Sequence, residues 1–76
     1  MKEKVLHVLQ DALPQIDFLA SNAMVDEGVI DSLAITEIIA TLSMEFDITI
    51  PFEEIIEDNF NSIDGLAAMV ERLENN

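Results

Sequence analysis

The chain contains no cysteine, so no disulfide, thiolate–metal site or thiol nucleophile can come from the polypeptide itself. Cations are almost as scarce. Lys and Arg number 3 against 16 Asp and Glu, a formal net charge of −13. That balance repels nucleic acid and anionic membrane surfaces and favours partners with basic patches. No stretch approaches the roughly 18 consecutive apolar residues of a spanning helix. Met1-Lys2-Glu3-Lys4-Val5 also lacks the apolar run of a secretory signal. Stable membrane insertion is therefore not expected, and a cytoplasmic location is. Gly-rich phosphate loops, His-Glu-x-x-His and Ser-x-x-Lys patterns are all missing. The single histidine, His7, lies among Leu6, Val8 and Leu9 with no nucleophile near it in sequence, which reads as a surface or boundary residue. Glu53-Glu54-Ile55-Ile56-Glu57-Asp58 lacks the spaced acids and central Gly of an EF-hand. It reads as a solvated face open to loose cation binding, and no dedicated metal site is expected. Nothing here suggests an enzyme.

Half of the 76 residues are apolar, enough for one core and one domain over residues 1–76. A domain of this size buries only about 60% of its unfolded surface. With so much charge of one sign, salt or divalent cations are expected to raise its melting temperature. The apolar residues recur at helical spacing. Val5, Leu6, Val8, Leu9, Ala12 and Leu13 form a stripe over about Glu3 to Leu13, which Pro14 ends. Residues 14–31 read as a long loop, a length that is often functional. Ile16, Phe18, Leu19, Met24, Val25, Val29 and Ile30 are available to pin it down. A second helix is expected from Ser32 to Glu45 or Phe46, with Ile35, Ile38, Ile39, Leu42 and Phe46 on one stripe. Asp47-Ile48-Thr49-Ile50 has no partner strand and reads as an extended connector. Pro51 suits the first position of a short third helix, Phe52 to Glu57. Asp58-Asn59-Phe60-Asn61 reads as a turn-rich link. Asn61 or Ser62 caps a last helix striped by Ile63, Leu66, Ala67, Met69, Val70 and Leu73, and Asn75-Asn76 is a frayed end. The expectation is an all-α fold, a small four-helix bundle of three longer helices and one short one.

Asp31-Ser32-Leu33 carries the chemistry. Asp31 is a good N-cap, and Ser32 falls where a helix begins, beside unpaired backbone N–H groups and the positive end of a dipole. That environment suits a phosphate-bearing group. A serine before an apolar periodic run can also be a plain helix cap. Ser21, Ser43 and Ser62 lack the flanking pattern and read as loop, surface and cap residues.

Asp31-Ser32-Leu33, Glu37-Ile38-Ile39, Glu45-Phe46-Asp47 and Ile50-Pro51 together resemble the acyl carrier protein family, over essentially the whole chain. The resemblance implies that a phosphopantetheinyl transferase, using coenzyme A and a divalent metal, attaches 4′-phosphopantetheine to Ser32. Acyl or aminoacyl groups then ride on the cofactor thiol as thioesters, and a chain without cysteine needs such a borrowed thiol. Asp31 and Leu33 flank the attachment point. The simple repulsion of Asp31 toward a phosphodiester suggests that it serves a cation or metal of the modifying enzyme. By the same resemblance, Leu33 and Ala40 face partner enzymes, with Asp26, Glu27 and Glu37 supplying charge and Met44 a flexible contact. Gap-filling in the core is nevertheless the first reading of Met44. The implied partners are the transferase, an acyl- or aminoacyl-loading ligase or transferase, and downstream biosynthetic enzymes with basic docking patches. The carrier is expected to be a monomer.

The implied pathway is fatty-acid, lipid or related biosynthesis. Ser43 and Met44 stand where fatty-acid carriers usually have acids, and the Glu57-to-Ile63 link with Phe60 is longer than in those carriers. Phe60 ahead of Ser62-Ile63 is similar to aminoacyl, D-alanyl and polyketide-type carriers, and Asp26-Glu27-Gly28-Val29-Ile30-Asp31-Ser32 is similar to the D-alanine carrier motif, which implies a stand-alone carrier loaded by an adenylating ligase as an alternative. A reading of a different class is an unmodified acidic adaptor subunit that binds a basic partner.

Overall fold

A computed structural model describes residues 1–75. Four α-helices make up the fold among those residues: α1 Lys2–Ala12, α2 Ser32–Phe46, α3 Glu57–Phe60 and α4 Ile63–Glu74, with a 3₁₀ turn at Phe52–Glu54. None is long and apolar enough to cross a membrane. α1 packs against α2 and α4, and α3 packs against α4.

Each long helix buries the stripe that its spacing marks out. Val5 and Leu9 of α1, Ile38 and Leu42 of α2, and Leu66, Met69 and Val70 of α4 are fully inside. Ala12 lies outside the stripe expected of it and is exposed, while Ile35, Ile39 and Leu73 are half-buried. Asp47 ends α2 in the left-handed region (φ 53°), and its N–H donates to the Ser43 carbonyl. Ser62 caps α4 by accepting from the Gly65 N–H at 3.0 Å. At the far end, Asn75 donates its N–H to the Glu71 carbonyl at 3.2 Å instead of fraying, and Asn76 lies outside the described residues.

The long loop is a packed element. Leu13, Phe18, Met24 and Ile30 are buried in the core. The N–H groups of Val29 and Ile30 both donate to the Met24 carbonyl. Gly28, at φ +75°, makes the turn between them. Leu19 does not pin the loop, as was expected of it. Asp17 accepts from the Leu19 N–H at 3.1 Å, a local turn that leaves Leu19 60% exposed.

The third helix departs most from expectation. Phe52–Glu57 is not one helix. Pro51 stays extended (ψ 159°), Phe52–Glu54 is a 3₁₀ turn, and Ile56 is extended (φ −128°, ψ 156°) before α3 begins. The physical cause is Asn59. Its buried side chain donates to the Glu54 carbonyl at 2.7 Å, taking the acceptor a continuing helix would need. The same amide donates to Oε1 of Glu54 at 2.9 Å, and Arg72 of α4 reaches that oxygen at 2.7 Å. The expected turn-rich link is thus largely helical, since Asp58, Asn59 and Phe60 lie within α3.

Candidate functional site

Asp31 is extended (φ −110°, ψ −173°) and its side chain accepts from the Ala34 N–H at 2.9 Å. Asp31 is therefore the cap of α2, and Ser32 is the first residue inside the helix. This disposes of the plain-cap alternative for Ser32. Its hydroxyl takes part in no hydrogen bond among the described residues, and the side chain is exposed. The Ser32 and Leu33 N–H groups belong to the opening turn, where no carbonyl one turn earlier can serve them. An exposed hydroxyl beside two free donors at a positive dipole end fits an attached phosphodiester.

The residues expected to face partners lie on one line. Leu33, Glu37, Ala40 and Met44 are all exposed, at spacings that return to one helix face over about 16 Å. Leu33 is 69% and Met44 84% exposed. Met44 is thus not a core gap-filler: residue 44 lies eleven positions, just over three whole turns, beyond Leu33. The charged candidates of the loop are also exposed, but they have local partners. Glu27 accepts from the Ser21 hydroxyl at 2.5 Å. Asp26 accepts from the Asn61 amide at 3.3 Å and shares a carboxyl–carboxyl contact with Glu57. That hydrogen bond, reinforced by the charge of Asp26, partial desolvation and the charge of Asp58, raises the Glu57 pKa above the usual range.

Two depressions flank Ser32. On one side Val25, Ile35, Ile55, Ile56, Glu57 and Phe60 line a largely apolar cavity of about 120 Å³. On the other, a more polar groove of about 250 Å³ runs between the loop and α2, lined by Gln15, Ile16, Gly28, Asp31, Leu33 and Glu37 among others. Glu53, Glu57 and Asp58 of the acidic run are exposed, as a solvated face requires, while Glu54 is half-buried. Arg72 binds Glu54 and holds its pKa low, with help from Asn59, while Glu57 turns to Asp26. His7 is at the surface, 3.4 Å from Asp11.

Sequence reasoning missed three participants. Asn61 accepts at its side-chain oxygen from the Val25 and Asp26 N–H groups (2.8 and 3.3 Å) and at its carbonyl from the Met24 N–H. It fastens the loop to α3, and no local pattern announces that. Phe52 is 84% exposed just beyond the end of α2. Gln15 joins the groove only through the path of the loop.

Comparison with known proteins bears on this site. The family described as a phosphopantetheine attachment site matches residues 2–70. The chain is 28% identical over 76 residues to the D-alanyl carrier protein of Streptococcus mutans, covering 99% of this chain and 96% of the relative. It is 26% identical over 76 residues to that of Streptococcus sanguinis, with the same coverage, 99% and 96%. With that of Streptococcus suis it is 26% identical over 74 residues, covering 96% and 94%. No solved structure gives a significant match.

Proposed function

The chain belongs to the phosphopantetheine-attachment family, whose members hold the cofactor covalently on a serine and act as carriers, and on that premise we propose that Ser32 bears the arm. One observation supports this reading above the others. Asp31 does the capping, which leaves the Ser32 hydroxyl exposed and unpartnered at the mouth of α2. In the attachment step that oxygen bonds to a phosphorus of coenzyme A as the pyrophosphate linkage breaks, and a base on the modifying enzyme takes the hydroxyl proton. The free N–H groups of Ser32 and Leu33 then face the phosphodiester, and the thiol at the far end carries the cargo.

The cargo is a small aminoacyl group, loaded by an adenylating ligase and passed to downstream enzymes. The names of the relatives, all D-alanyl carrier proteins, favour that class over a fatty acyl chain. Docking falls on Leu33, Glu37, Ala40 and Met44, with charge from Asp26 and Glu27. Acids at the rim set association rate and specificity more than affinity, and they suit a partner with a basic patch. The domain spans residues 1–76 and works as a monomer.

Intact mass after incubation with coenzyme A and a promiscuous phosphopantetheinyl transferase tests the assignment. The expected result is a gain of one phosphopantetheine, lost completely in Ser32→Ala, whose thermal stability stays near that of the parent. A competent transferase that adds nothing favours the unmodified adaptor.

A further inference from the structure

We propose that the groove between the loop and the start of α2 receives the protonated amino end of an aminoacyl group carried on the Ser32 arm. This rests on the assignment of Ser32 as the attachment point. An arm anchored there has two places to fold back. With about 100° of rotation per residue, Leu33 and Glu37 lie about 100–140° round α2 from Ser32, and Ile35 lies about 60° the other way. Ser32 therefore stands on the ridge between the groove and the apolar cavity, and the chemistry of the cargo decides between them.

The apolar cavity suits a cationic end group poorly. Val25, Ile35, Ile55, Ile56 and Phe60 form most of its wall, and an ammonium buried among them loses water without recovering hydrogen bonds. Its one acid, Glu57, already shares its carboxyl with Asp26.

The groove differs on every count. It is about twice as large, 250 against 120 Å³. Asp31, Glu37 and Gln15 line it together with the apolar Ile16, Val29, Leu33 and Ala34. One oxygen of Asp31 holds the cap at Ala34, which leaves the other for a second donor. Glu37 enters no ion pair among the described residues. No Lys or Arg occurs between residues 5 and 71 to compete for these acids. Gly28 lines the groove without a side chain, and the space beside it is open.

The test compares two loaded forms of the full chain that differ by one ammonium group. A promiscuous transferase loads the protein from D-alanyl-coenzyme A or propionyl-coenzyme A, and backbone amide NMR spectra of the two products are subtracted. The expected difference is centred on Gln15, Gly28 and Glu37. It falls by about twofold or more in Glu37→Gln and in high salt, as a screened charge contact should, and it is unchanged in Glu57→Gln. Differences centred on Val25, Ile55 and Phe60, or identical spectra for the two forms, overturn the proposal while leaving the carrier assignment intact. Absence of any mass gain in the loading step removes the assignment and the inference together.

Discussion

The two sides of this bundle use charge in opposite ways. On the α1–α4 side all three cations of the chain are engaged within the fold. Lys2 reaches Asp64 at 2.9 Å, Lys4 sits 5.2 Å from the centre of the Phe46 ring, and Arg72 holds both Glu54 and Asn59. Around Ser32 there is no cation in sequence from residue 5 to residue 71. Asp31 and Glu37 line an open groove, and Asp26 and Glu57 lean on each other. One side closes its charges inward and acts as a scaffold. The other leaves Asp31 and Glu37 open to solvent. The difference also bears on how a domain at −13 stays folded: the few available cations sit where helices meet, each beside an acid or an aromatic ring.

If that division is right, the scaffold side should be the costlier one to disturb. Gly65→Ala is the sharpest probe. A methyl at Gly65 stands 2.7 Å from the Asp58 carbonyl oxygen and 2.9 Å from that of Asn59. Alanine in place of glycine returns about 1 kcal/mol of helix propensity, but overpacking against backbone costs about 1–3 kcal/mol. Because neither α3 nor α4 can yield without moving the other, the clash wins, by up to about 2 kcal/mol. A denaturation midpoint equal to that of the parent would contradict the close packing of α3 on α4. Next comes Asn61→Ala, at the seam between the two sides. It strips the acceptor from the Val25 and Asp26 N–H groups, at a cost of about 1 kcal/mol for partly solvated donors. Hydrogen exchange should rise at those two amides before it rises in α1 or α4.

The long helices and their caps were the most legible part of the fold. The stripes of α1, α2 and α4, the Asp31 cap and the Ser62 cap are local, written in spacing and in side chains that act within three residues. The split third helix is not local. It depends on Asn59 reaching back to Glu54 while Arg72, thirteen residues later in the chain, fixes both. Met44 is a different failure, because a strict 3.6-residue count already puts it on the Leu33–Ala40 face. The position of Ser32 at the start of α2 was legible from its flanking pattern. The groove beside it was not, because Gln15 and Gly28 reach it only through the fold of the loop.

A smaller effect separates the sides by pH. Glu57 titrates higher folded than unfolded, so the stability linked to it is fully present below the ordinary carboxylate pKa and is lost as pH rises through the raised value. Glu54 is opposite: its pKa is lowered by Arg72, so its contribution is present above the ordinary value and disappears as pH falls through the lowered one. Glu57→Gln should therefore raise the melting temperature modestly at neutral pH. It should also remove part of the gain the parent shows on mild acidification. A parent curve that falls steadily from neutral pH toward pH 5 would contradict the Asp26–Glu57 contact.

The smallest change in stability is expected at the functional end, from Asp31→Asn, and there the two kinds of readout should part company. Asparagine caps about as well as aspartate, so the bond to the Ala34 N–H survives. What goes is one negative charge near the helix dipole, worth a few tenths of a kcal/mol at an exposed site. If Asp31 serves only the fold, modification of Ser32 should proceed as before. If its charge engages a cation or metal of the modifying enzyme, the rate of phosphopantetheine transfer should drop by about tenfold, the equivalent of about 1.4 kcal/mol in the transition state. Parallel melting curves with divergent transfer rates would assign the charge to the encounter with the enzyme. Equal rates would leave Asp31 as a cap and nothing more.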